Sequence, residues 1–280
     1  MPSRSATRRW LLAAAALAVT LTALSGSVAS SQSHTGESTP ARSKPTVVLV
    51  HGAFADASGW SAIISRLQRR GYPVIAPPNP LRGVAGDSAY IKSVLATVTG
   101  PIVLVGHSYG GFVITNAATG NPNVKALVYI AAYAPDENDT VQGLNMLGTG
   151  SKIGPDTLDV RTVPGPDGTD VQEALIKPSA FADVFAADVP ARTAAVMAAS
   201  QRPAALATLG QPSGPPAWRS IPSWYLVAGR DNAIGTAAER IMAKRIGAHT
   251  VEAEHASHAV MVSRPDETTN LILAAARTIE

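Results

Sequence analysis

Short apolar runs alternate with stretches whose apolar residues recur at helical spacing, and few folds accommodate that rhythm. Thr46–Val50 (TVVLV), Ile102–Val105 and Lys125–Ala131 (KALVYIA) are nearly continuous apolar runs, the pattern of strands buried on both faces. Between the first two, Trp60, Ile63, Ile64 and Leu67 predict a helix ending at Gly71, Val74–Ala76 a strand and Asp87–Val98 a helix. Gly110–Ala118 reads as the helix after Ile102–Val105. The rhythm returns with a strand at Trp224–Val227, a helix from Thr236 to Ile246, a strand at Thr250–Val251 and a last helix from about Asp266. Thr236 and Glu239 stand at capping-box spacing, and Gly247 suits the stop. Strands separated by single helices predict a mostly parallel sheet with helices on both faces. About six strands are too few for an eight-stranded barrel.

The rhythm breaks between about residues 136 and 220. There, Gly- and Pro-rich stretches (TVPGPDGTD, GQPSGPP) separate short Ala-rich helical segments. This part reads as a cap inserted over one end of the sheet, within a single domain spanning 46–280.

The 280-residue chain has 46% hydrophobic and 15% charged residues, so it can bury a substantial core and is not of disordered composition. Its formal net charge of +3 is local: Arg4, Arg8 and Arg9 are the only charged residues before position 30, and the remainder carries 20 basic against 20 acidic residues. A neutral body gives no footprint for nucleic acid or an acidic membrane. The three arginines precede the apolar run Trp10–Leu24 and small residues ending at Ser27-Val28-Ala29, which together predict a signal peptide over 1–29 and a secreted or periplasmic protein. The run is 15 residues long, short of the roughly 20 that span a bilayer, so no stable membrane anchor is expected. Thr7-Arg8-Arg9-Trp10 also has the form of a twin-arginine export signal, and plain Sec export is the alternative. Residues 30–45 are polar, with Pro, Gly and Ser, and read as a flexible leader. The absence of Cys removes disulfides, thiolate chemistry and iron–sulfur clusters.

Gly106-His107-Ser108-Tyr109-Gly110 follows a predicted strand and opens a predicted helix, the context in which G-x-S-x-G forms a nucleophile elbow. A serine hydroxyl needs a base. Of the six histidines, His258 and His255 lie just past the last strand, where a loop can reach the elbow; His258 is favoured and His255 is the fallback. His34 falls in the leader, His249 on the surface, His51 is placed to brace its loop, and the side chain of His107 diverges from its neighbour Ser108. Asp231, after the strand Trp224–Val227, is the candidate partner of the base, and the chain order nucleophile, acid, base suits an α/β-hydrolase. Backbone N–H groups of Tyr109 and of Ala53, in His51-Gly52-Ala53-Phe54, are candidate oxyanion donors, and Phe54 is a candidate substrate contact. In the cap, Phe181, Phe185, Val196 and Met197 lend the pocket an apolar character, although such helical stripes more often pack the cap itself.

HGAFADASGW (His51–Trp60), VLVGHSYGG (Val103–Gly111), YIAAYAPD (Tyr129–Asp136), DNAI (Asp231–Ile234) and SHAVMVSRP (Ser257–Pro265) resemble the α/β-hydrolase superfamily, and within it the methylesterase and hydroxynitrile lyase group. The resemblance covers roughly 46–278 and is weakest through the cap. It implies a carboxylesterase acting on a small-molecule ester, with neither metal nor organic cofactor; the alternatives are a non-catalytic ligand-binding member of the fold, or an amidase or perhydrolase using the same three residues. The lyases typically carry Thr after the first His of the loop, Glu before the nucleophile and Lys after the catalytic His; here Gly52, His107 and Ala259 stand there, which favours a hydrolase. The short strands that begin many members are not expected, because residues 30–45 cannot supply a hairpin.

Overall fold

The computed structural model describes residues 44–165 and 168–280. The expectations for the signal peptide, and for the leader up to residue 43, lie outside the described residues. The first half runs β1 (Thr46–Val50), α1 (Ser61–Arg69), β2 (Val74–Ile75), α2 (Val84–Ala96), β3 (Ile102–Ser108), α3 (Tyr109–Ala117) and β4 (Val124–Ala132). A middle segment follows with α4 (Val141–Asn145), β5 (Leu158–Pro164), β6 (Asp170–Ile176), α5 (Pro178–Phe185), α6 (Ala191–Ala199), β7 (Ala204–Ala205) and α7 (Ala207–Gly210). The chain closes with β8 (Ser223–Ala228), α8 (Thr236–Arg245), β9 (His249–Ala253), α9 (Val260–Ser263) and α10 (Pro265–Arg277).

Six strands form one sheet in the order β2-β1-β3-β4-β8-β9, and every neighbouring pair is parallel. Side chains alternate across a strand, so each apolar run feeds two cores. Val48, Val50 and Leu104 pack with Ile91 of α2, Phe112 of α3 and Met242 of α8 on one face. Val47, Leu49, Val103 and Val105 pack with Ile63 and Leu67 of α1 and Ile272 of α10 on the other. This double burial explains why β1 and β3 are buried at every position beyond the half-buried Thr46.

Three local expectations are corrected. Helix α2 starts at Val84 rather than Asp87, because the buried Asp87 carboxylate reaches back from the first turn to accept the N–H groups of Arg82 (3.0 Å) and Gly83 (3.3 Å). The capping box of Thr236 and Glu239 does not form. Both side chains turn to the end of β8 instead, where Thr236 Oγ1 donates to Ala228 O (2.7 Å) and Glu239 Oε2 accepts Ala228 N–H (3.0 Å). The middle segment also holds more than helices: β5, β6 and β7 make an antiparallel three-stranded sheet. β5 is largely exposed, β6 is buried at only three of its seven positions and β7 is two buried alanines, so none carries the long apolar run that marks the main sheet.

Candidate active site

β3 ends on Ser108, whose backbone is forced to φ 54°, ψ −126° before α3 begins. A non-glycine residue in that region is strained and persists only where its surroundings impose it. Here the imposition is close packing, since a Cβ at Gly106 would fall 2.6 Å from Gly110 O, and one at Gly110 would fall 2.4 Å from Val50 O. The neighbouring strand yields as well. The pairing of β3 with β4 slips between His107 and Ser108, Ala131 adopts φ 42°, and Tyr133 N–H then donates to Ser108 O (3.1 Å).

The loop after β1 passes directly against the elbow. A Cβ at Gly52 would lie 2.6 Å from Ser108 Cβ and 2.8 Å from His107 O, so no larger residue fits without moving backbone. His51 braces this loop: its buried ring donates from Nδ1 to Gly52 O (2.9 Å) and accepts Asn79 N–H at Nε2 (2.9 Å). Burial pushes its protonation below the ordinary histidine range, only partly offset by Gly52 O, which suits the neutral tautomer those contacts require.

Past β8, Asp231 Oδ1 accepts the N–H groups of Ala233 (2.6 Å) and Ile234 (2.8 Å), the pattern of an Asx turn. Its other oxygen, Oδ2, accepts from Nδ1 of His258 at 2.6 Å, with both side chains almost fully buried. Because the carboxylate offers only lone pairs, Nδ1 carries the proton and Nε2 is left as an acceptor. Burial works against ionisation of Asp231. The charge of His258 and its hydrogen bond, with Ile234 N–H, outweigh burial and hold the carboxyl well below the usual range.

The His258 ring is clamped between aromatic rings. Phe185 meets it edge-on at 4.7 Å between centroids, and the His107 ring lies 4.6 Å away. Nε2 of His107 donates to the carbonyl of His258 (3.0 Å). Burial first, and then the nearby His258, keep His107 far below the ordinary range and neutral. From the middle segment, Phe185 O accepts Ala259 N–H (2.9 Å) and Asp188 accepts from Ser257 Oγ (2.5 Å), tying down the loop that carries His258.

Ser108 and His258 line a common cavity with Ala53, Phe54 and Tyr109; its space is about 570 Å³ including the open mouth. Its walls are overwhelmingly apolar, with Tyr133, Asn145 and Thr208 among the few polar contributors. Tyr109 is fixed at its far end, where its hydroxyl donates to Asp87 Oδ2 (2.9 Å). A profile of the alpha/beta hydrolase family matches residues 47–271. The chain belongs to that family. This α/β hydrolase is 28% identical over 237 residues to a pyrethroid hydrolase of Sphingobium wenxiniae, a match covering 79% of this chain and 83% of the relative. It is 31% identical over 110 residues to a carbendazim hydrolyzing esterase of a Nocardioides species, covering 35% of this chain and less than half, 46%, of that relative. Among solved structures, polyneuridine aldehyde esterase superposes with a TM-score of 0.70 at 21% identity, covering 82% of this chain and 98% of the other. That last likeness shows the fold.

The histidines of this hydrolase separate cleanly. His255 is exposed, and His249 lies exposed on the sheet edge against Trp224. Of the apolar cap residues, Phe185 lines the cavity, Phe181 stacks behind it, and Val196 is exposed on α6, away from the cavity. Sequence reasoning missed Asn79 and the contact of His107 with His258, and read Glu239 only as a helix cap. Asn79 and His107 act through partners 28 and 151 positions away, and no local pattern signals such a pairing.

Proposed function

We propose that the protein is a serine hydrolase that cleaves small, apolar carboxylic esters through an acyl-enzyme. Ser108 Oγ attacks the ester carbonyl while His258 Nε2 takes its proton, and Asp231 steadies the imidazolium that forms. The carbonyl oxygen becomes an oxyanion received by the backbone N–H groups of Ala53 and Tyr109. His258 then returns the proton to the departing alcohol, and a water molecule deprotonated by His258 hydrolyses the acyl-enzyme. The observation that carries this reading is the buried His258–Asp231 hydrogen bond of 2.6 Å beside a strained Ser108 on one cavity. Apolar walls favour an uncharged substrate, with Phe54 as one contact. Relatives named for hydrolysing a pyrethroid and carbendazim support hydrolysis as the reaction class.

A fluorophosphonate probe is expected to add one label, lost in Ser108→Ala, and esters graded by acyl length define the acyl site. Surviving label in that variant overturns the assignment. Mandelonitrile is expected to remain uncleaved. A cyanohydrin lyase needs a cation to hold cyanide, whereas Ala259 beside the base is a buried methyl group. Export is part of the proposal, and mass spectrometry of secreted protein is expected to find an N-terminus near Ser30.

A further inference from the structure

The mechanism above gives no task to a buried carboxyl close to Asp231. Glu239, in the first turn of α8, is wholly excluded from solvent. A carboxyl at such depth must find a cation or stay neutral. Among the described residues no cation pairs with it: the adjacent Arg240 turns outward and donates from Nε to Glu252 (2.9 Å) at the sheet edge. Oε2 of Glu239 accepts Ala228 N–H, but Oε1 receives no N–H or hydroxyl donor from any described residue. Glu239 and Asp231 meet at the end of β8: Ala228 gives its N–H to Glu239 while its carbonyl accepts Asp231 N–H (3.3 Å). Thr236 Oγ1, in the same turn of α8 as Glu239, also accepts Asp231 N–H (3.2 Å). This sets the buried, unpartnered Oε1 beside the Asp231 carboxyl and within reach of its charge.

Two ionised carboxylates repel, whereas two carboxyls holding one proton form a strong hydrogen bond. The proton has an unambiguous owner. Asp231 already accepts from Ala233 N–H, Ile234 N–H and His258 Nδ1–H, an environment made for the anion. Among the described residues Glu239 accepts one backbone N–H and no further donor. We infer that Glu239 is a positioning residue, a neutral carboxylic acid that donates its proton in a hydrogen bond to Asp231, fixing that carboxylate against His258 and spreading its negative charge. The inference rests on the reading of Asp231 and His258 as acid and base.

Ionisation tendencies run the same way. Burial first, then the negative charge of Asp231 and the hydrogen bond to it, push Glu239 well above the usual carboxyl range. The other groups facing it are Tyr133 after β4, Tyr225 on β8 and Glu252 on β9. Burial keeps both tyrosines neutral, and Arg240 pairs with Glu252.

The experiment compares the purified wild type with Glu239→Gln, which keeps a neutral donor and an acceptor, and Glu239→Leu, which keeps neither. The infrared carbonyl band of a protonated carboxylic acid is expected at pH 8 in the wild type and lost in Glu239→Gln; its absence from the wild type overturns the inference whatever the activity. In the kcat/KM profile, Glu239→Gln is expected to restore kcat and hold the acid limb in place. Glu239→Leu loses about tenfold in kcat, the scale of one hydrogen bond to a charged group. Its acid limb moves to higher pH by up to about one unit, because an unshared Asp231 charge pulls harder on the imidazolium. An ionised Glu239 predicts the opposite sign, with both variants moving the limb to lower pH. A merely structural Glu239 predicts lower stability with the limb and the kcat of folded enzyme unmoved. Either outcome overturns the inference. Should Glu239→Leu fail to fold, the infrared band and the limb of Glu239→Gln decide. Turnover surviving in Ser108→Ala refutes the proposed function alone, since the infrared band reports on Glu239 independently.

Discussion

The two sheets of this molecule are built on opposite principles. In the parallel sheet, β3 and β8 are buried at every position and the strand residues divide between two apolar cores. In the antiparallel sheet of the middle segment, most of β5 is exposed, and Val160 stands in solvent. The larger sheet is held by burial along its four central strands, β1, β3, β4 and β8, while its edge strand β9 is largely exposed. The smaller is pinned at selected points: Glu173 of β6, itself buried, takes Arg82 from before α2 (2.7 Å) and Arg161 from β5 (2.7 Å). Phe185 and Asp188 add the contacts to the His258 loop. The lesson is a division of labour. The parallel sheet sets the strand ends from which Ser108 and Asp231 project, while the middle segment supplies cavity wall, including Ala174, Phe185 and Ala204, on a scaffold that tolerates change.

The comparison is tested hardest inside β3. Leu104→Ala empties a fully buried position and is expected to cost about 2–5 kcal/mol in urea unfolding; a cost near zero would mean that burial does not hold this sheet. Gly52→Ala acts where the sheet meets the site. Its Cβ collides with Ser108 Cβ and His107 O, so kcat/KM of an ester is expected to fall by about two powers of ten or more, on the order of losing an oxyanion donor. Wild-type kinetics in that variant would show that the loop after β1 has no fixed place against the elbow.

Smaller effects are expected in the middle segment. Burial disfavours the Glu173 charge, but the hydrogen bonds and charges of Arg82 and Arg161 prevail and lower its protonation range. A carboxyl depressed in the folded state contributes stability above its unfolded range and loses it as pH falls. Glu173→Gln is therefore expected to cost at most about 1 kcal/mol at pH 7, since both arginines are about half exposed, and the difference from wild type should vanish towards pH 3. A gap that widens on acidification would contradict the pinning role. Smallest of all, Val160→Ala on exposed β5 is expected to stay within about 0.5 kcal/mol of wild type by thermal unfolding. A larger loss would reveal an unrecognised contact on that strand.

How much could be read in advance follows the same division. The sequence by itself determined the parallel sheet, because doubly buried strands must be apolar throughout and the helices between them must carry stripes; the elbow was equally legible, being a local turn whose glycines adjoin Ser108. It nominated Asp231 and two histidines by their places after strands. Tertiary structure alone decided that His258 is buried on Asp231 while His255 faces solvent. It alone paired β5, β6 and β7, because β5 is largely exposed and β7 is a strand of two alanines, too short to show a period. It turned Thr236 and Glu239 from an expected helix cap to the end of β8, and set the His107 ring on His258 across 151 positions of chain. The physical reason is one of range. Periodicity and turn chemistry are written in neighbouring residues, whereas a buried polar group is satisfied by whichever partner the fold delivers.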